Sequence, residues 1–112
     1  MSARQNKVVF INAYADDGIE MFSTVAIGGG KWDIKHRSLP PQSTTERIVA
    51  EITDMIGFVE GLTVITDSQM LAYVLGKDST IGGAIMVDYN PLHVLDAKDV
   101  CWGVLDKLIG MI

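Results

Sequence analysis

Residues 8–38, VVFINAYADDGIEMFSTVAIGGGKWDIKHRS, decide the fold, because they carry three strand signals before the first proline of the chain. Val8–Ala15 is rich in β-branched and aromatic residues and apolar on both alternating faces, which fits a strand buried on both sides. Asp16-Asp17-Gly18 supplies turn chemistry, since both residue types tolerate the backbone angles that a tight reversal needs. Met21–Ile27 reads as a second strand, and Gly28-Gly29-Gly30 as another short reversal. Lys31–Ser38 alternates enough to be a third, more polar strand. Three strands joined by short turns predict an antiparallel meander.

Downstream the pattern changes period. Leu39-Pro40-Pro41-Gln42 is a rigid connector, and Ser43-Thr44-Thr45-Glu46 has the spacing of a capping box, with Ser43 capping and Glu46 reaching back. Ile48, Ile52, Met55, Ile56 and Val59 then repeat at helical spacing, so Thr44 to about Val59 reads as an amphipathic helix ended by Gly61. Leu62–Thr66 is a short apolar strand closed by Asp67, and Ser68 to about Leu75 a second helix ended by Gly76. Ala84–Tyr89 gives a fifth strand, Asn90-Pro91 breaks it, and a last helix starts at about Asp96. Ala97, Val100, Cys101, Val104 and Leu108 form that helix's expected inner stripe. The expected class is α/β, in the order βββαβαβα, with a five-stranded mixed sheet.

Composition narrows the function classes. The 112 residues suit a single domain, 1–112, since domains commonly run to roughly 100–150 residues. A net charge of −5 argues against a generic phosphate-binding surface, which needs clustered Lys and Arg. Cys101 is the only cysteine and sits among apolar residues, so a buried thiol is expected and an intramolecular disulfide is impossible. Met1–Lys7 is followed by no apolar signal core, and no apolar run approaches the roughly 18–20 residues of a membrane span. A cytoplasmic protein with no membrane partner is the expectation.

Tyr14-Ala15-Asp16-Asp17 matches the metal-binding tetrapeptide of reverse transcriptases, but a polymerase palm with fingers and thumb does not fit in this length. The order of elements resembles instead the ribonuclease H-like fold, over about Val8 to Ile109. VITDSQML (Val64–Leu71) is similar to the ribonuclease H segment in which strand four ends in Thr-Asp-Ser, with Asp67 at the metal-ligand position. YADDG (Tyr14–Gly18) resembles the end of that family's first strand and places a first metal aspartate at Asp16; a shifted register would put Asn12 there instead. IMVDYNPLHV (Ile85–Val94) and AKDVCWGVLDKLI (Ala97–Ile109) resemble the fifth strand and following helix of RuvC-type Holliday-junction resolvases. Alternatively, HVLDA (His93–Ala97) is itself the terminal His-x-x-Asp-Ala motif, which singles out His93 and Asp96. The chain departs from ribonuclease H in its first helix, where Val49 stands at the expected glutamate; Glu46 and Glu51 are the nearby substitutes.

The resemblance implies a metal-dependent nuclease that hydrolyses phosphodiester bonds of an RNA–DNA hybrid or a branched DNA. Mg²⁺ or Mn²⁺ would be held by Asp16, Asp67, Asp96 and Glu46, with His93 as a further catalytic candidate, because two-metal cleavage needs several carboxylates around one point. Lys31, Lys35, His36 and Arg37 form the only basic concentration, and with Trp32 they would track the nucleic acid, cations on phosphate and indole on a base. Each residue also has an ordinary structural role: Asp16 in a turn, Asp67 and Asp96 as helix caps, Glu46 in a capping box, His93 as polar surface, and the third strand's cations as a solvated face. The acidic balance and the missing helix glutamate fit a different reading, a catalytically degenerate copy of the fold that binds a protein. A homodimer packed through the apolar LIGMI terminus (Leu108–Ile112) is a third.

Overall fold

The computed structural model describes residues 7–15, 18–29, 31–57, 61–77 and 85–110, and the side chains of all these except 15, 27, 28, 85 and 104–110. Every expected element is present: β1 (Lys7–Ala15), β2 (Gly18–Gly28), β3 (Lys31–Leu39), α1 (Thr45–Ile56), β4 (Leu62–Thr66), α2 (Gln69–Lys77), β5 (Ile85–Tyr89) and α3 (Pro91–Gly110). The sheet order is β3-β2-β1-β4-β5. The first three strands pair antiparallel, while β4 and β5 continue the sheet parallel to β1, so the class is α/β with a mixed five-stranded sheet. Antiparallel neighbours need only short turns; the parallel ones need crossovers, which α1 and α2 supply. Among the described residues no helix is long and apolar enough to cross a membrane.

Alternation along the strands splits the core in two. Val9, Ile11, Met21 and Val64 point to one face, where Ile48, Ile52 and Met55 of α1 and Leu75 of α2 close over them. Phe10, Phe22 and Ile65 point to the other, where α3 lays down Val94 and Cys101. The central strand β1 is therefore apolar on both sides, as its sequence demands. Cys101 is buried as expected, and burial pushes its thiol pKa up.

The element ends differ from the sequence expectation by a consistent cause, the identity of the cap. Thr44 rather than Ser43 caps α1, its hydroxyl accepting from the Arg47 N–H at 3.2 Å, while the Ser43 hydroxyl donates to the Pro40 carbonyl. The helix stops at Ile56 because Gly57 takes a positive φ of 78° and its N–H donates to the Thr53 carbonyl. Helix α3 starts at Pro91, not Asp96. Asn90 caps it through the His93 N–H at 3.0 Å, and a proline at the first helical position loses no hydrogen bond. Strand β2 starts at Gly18, with φ 139°, paired directly to Ala15. A side chain at Gly18 would run into the Leu39 carbonyl, so this close approach of β2 to the end of β3 requires glycine. Val59 and Ala84, the expected ends of α1 and β5, lie outside the described residues, as do the side chains of Val104 and Leu108. Val100, expected on the inner stripe, is 64% exposed.

Candidate functional site

The carboxyl ends of the parallel strands β1, β4 and β5 lie together, the usual place for a ligand site in an open α/β sheet. The last β1–β4 pair is Ile11↔Thr66, so one further step sets Asn12 alongside Asp67. Hydrogen bonds fix this arrangement. The Asp67 N–H donates to the Ile11 carbonyl at 3.3 Å, and the Ala13 N–H donates to Asp67 Oδ1 at 2.7 Å. That second contact is short, as expected for a carboxylate acceptor. Between Asn12 and Ala15 the β1–β2 register shifts, and there Asn12 Oδ1 accepts from the Tyr14 N–H at 3.2 Å. Asn12 and Asp67 thus satisfy two successive backbone donors where the irregularity takes β1 out of its ladder.

Asp67 does not cap α2. Ser68 does so instead, its hydroxyl accepting from the Leu71 N–H at 3.1 Å, while the Thr66 hydroxyl accepts from the Ser68 N–H at 3.2 Å. The Thr-Asp-Ser triplet therefore divides its labour: Thr66 and Ser68 turn the chain into α2, and Asp67 reaches sideways to β1.

Across β1 the row continues to Glu20, which is paired with Asn12 in the antiparallel register. Its carboxylate meets Lys98 Nζ of α3 at 2.7 Å and lies 3.9 Å from His36 Nε2 on β3. The His36 ring stacks against Phe22 (centroids 4.8 Å apart) and against Trp102 of α3 (4.6 Å). Burial lowers the His36 pKa below the usual histidine value; Arg37 and Lys98 act in the same direction and Glu20 opposes them.

The other expected site residues are dispersed. Asp16 lies outside the described residues. Glu46 is exposed in the first turn of α1. Glu51 is engaged by both Arg47 and Arg37, at 3.4 Å each. His93 and Asp96 sit on one flank of α3, exposed; the His93 ring packs edge-on against Phe10 at 5.3 Å. Asp96 lies in the second turn of α3 and so is not its cap. Lys35 donates to the Met55 carbonyl, and Arg37 reaches Glu51 and Asp54, which carries both cations to the α1 side. Trp32 alternates to the opposite face, and Lys31 is exposed at the start of β3.

Among the described residues no three His, Cys, Asp or Glu side chains gather as a metal would require. The donor set explains this: beside Asp67 stands the neutral amide of Asn12, and the next carboxylate, Glu20, is held by Lys98. Two divalent ions need anionic oxygens to bridge them, and Asp16, the expected partner of Asp67, lies outside the described residues. Glu20, Lys98 and Trp102 were not among the residues singled out from sequence, and His36 was so only as part of the basic stretch of β3, not as a partner of Glu20 and Trp102. Their approach depends on strand register and on where α3 crosses the sheet, neither of which local periodicity carries. No protein-family model matches the chain, and no curated protein matches it significantly.

Proposed function

We propose that this chain is a ribonuclease H-like module that acts by binding a protein partner, its two-carboxylate centre replaced by structural bonds. The observation that carries this reading is Asn12 beside Asp67, each with a side-chain oxygen committed to the β1 backbone. The charge distribution agrees. The net charge is −5, and Lys35 and Arg37 are turned toward α1, which leaves no cationic track for a polyphosphate on β3. Large apolar side chains stand exposed in pairs on two helices, Met70 and Tyr73 on α2 and Leu92 and Leu95 on α3 on the other face of the sheet, and either pair offers an apolar surface to a partner.

The second reading is a nuclease acting on an RNA–DNA hybrid or branched DNA with Mg²⁺ or Mn²⁺. Its support is the position of Asp67 at the carboxyl edge of the parallel strands, with Asp67 Oδ2 making no hydrogen bond among the described residues. In that reading Asp16 and Asp67 hold the metal.

One experiment separates them. The wild type, Asp67→Asn and Asn12→Asp are incubated with Mg²⁺ or Mn²⁺ and hybrid, single-stranded and four-way-junction substrates, and metal-dependent thermal shifts are recorded alongside. The partner-binding reading expects no cleavage by the wild type and a metal-dependent shift only in Asn12→Asp, where two carboxylates stand side by side. Metal-dependent cleavage by the wild type that Asp67→Asn abolishes would establish the nuclease instead.

A further inference from the structure

Helix α3 covers its sheet face unequally. On one flank Lys98 and Trp102 close onto Glu20, Phe22 and His36. On the other, His93, Asp96 and Val100 overhang a groove of about 580 Å³. Its floor is Phe10, 8% exposed, and Cys101, 2% exposed; its far wall is Ile34 and Trp32 of β3. The volume falls within the roughly 300–1,000 Å³ of small-molecule sites, and the lining is mainly apolar with a few polar groups, as such sites are.

We propose that this groove binds a small organic ammonium ion with an apolar, preferably aromatic, body. Three features select that class over a neutral or anionic ligand. Asp96 contributes the carboxylate, and among the described lining residues there is no Lys or Arg. Alternation and pairing take Lys35 to the α1 side, where it donates to the Met55 carbonyl, and Lys31, beside Trp32 in sequence, is not among the lining residues. Aromatic faces supply the rest. Trp32 is 52% exposed at the wall, and indole is the ring that attracts a cation most strongly, while Phe10 and the His93 ring packed against it bound the inner end. The apolar body would displace water from Phe10, Ile34 and Cys101, and the ammonium would lie between Trp32 and Asp96. This site is separate from the Asn12–Asp67 pair, so it stands or falls independently of the function proposed above.

The test uses three probes of one shape: 2-naphthylmethylamine, 2-naphthalenemethanol and 2-naphthoate, titrated into the ¹⁵N-labelled chain. The amine is expected to bind about tenfold tighter than the alcohol, and the carboxylate weakest, with shifts centred on residues 10, 24, 32, 34 and 93–101. Asp96→Asn, at an exposed position that leaves the spectrum otherwise intact, should bring the amine level with the alcohol. Trp32→Ala should weaken the amine and the alcohol. Naphthoate binding as well as the amine, shifts centred elsewhere, an indifferent Asp96→Asn, or no saturable binding by the amine would each overturn the proposal. So would a dilution-dependent dimer in sedimentation velocity that Val100→Asp dissolves, because the occupant would then be a second copy.

Discussion

The two faces of the sheet are covered by different means. On the α1/α2 side, β1, β2, β4 and the two helices interlock through aliphatic and thioether side chains, with Val9, Ile11, Met21, Ile52, Val64 and Leu75 all excluded from solvent. On the α3 side one described helix crosses, and beside its apolar Val94 and Cys101 the contact is aromatic and charged: Phe22, His36 and Trp102 with the Lys98–Glu20 pair. Non-directional apolar packing closes a surface completely, whereas directional contacts seal one line and leave the rest of the face open. The first face is where stability is concentrated, and the second is where variation in shape and charge can serve recognition.

The sharpest way to break this contrast is to truncate one aliphatic side chain on each side to alanine. Ile52→Ala, at a position with no exposure, should lower unfolding free energy by about 2–5 kcal/mol. Val100→Ala, on the open flank of α3, should change it by no more than about 0.5 kcal/mol. Urea denaturation of both variants measures the pair. Similar losses would mean that the groove flank is packed in solution.

Most of the fold was legible in the sequence, and the candidate site much less so. Period-two and helical patterns located all eight elements, because burial of one or both faces is written into each segment locally. Caps were less legible: α1 is capped one residue beyond the expected Ser43, because Thr44 can accept as well, and α3 starts about five residues early, because Asn90-Pro91 suits a helix start as well as a strand break. The Asn12–Asp67 neighbourhood was present only as one of two registers for β1. Which residue of β1 stands beside the end of β4 is set by pairing between distant segments, and neither strand's own alternation contains it. The groove had no signal, since Val100, at helical spacing from Ala97 and Val104, looks like core in the sequence although its flank of α3 is exposed.

A second, intermediate effect is expected on the sealed flank. Trp102 is half-buried against Phe22 and His36, so Trp102→Ala should cost about 2 kcal/mol, less than a fully buried aromatic would. It should also open a second depression beside Glu20 while leaving the chemical shifts of α1 and α2 unchanged. Loss of order in α1 would show that the two faces are coupled rather than independently built.

The smallest effect distinguishes the faces by chemistry, because among the buried clusters only the α3 side carries a titratable ring. Burial holds the folded-state pKa of His36 below the unfolded value of about 6.5, with Arg37 on its own strand and Lys98 on α3 adding to the shift and Glu20 on β2 opposing it. The unfolded chain therefore takes up the proton first. The stabilisation is fully present above about pH 6.5, declines as pH falls through that value, and levels off once pH is below the folded-state pKa. Thermal melts between pH 8 and pH 5 should show this decline in the wild type and a flatter profile in His36→Gln. The same pair of melts in an Ile52→Val background should be shifted down without a change in slope, because the aliphatic face contributes no proton uptake. A wild-type profile that rises toward pH 5 would mean that Glu20 governs the imidazole after all, and that protonation tightens α3 onto the sheet.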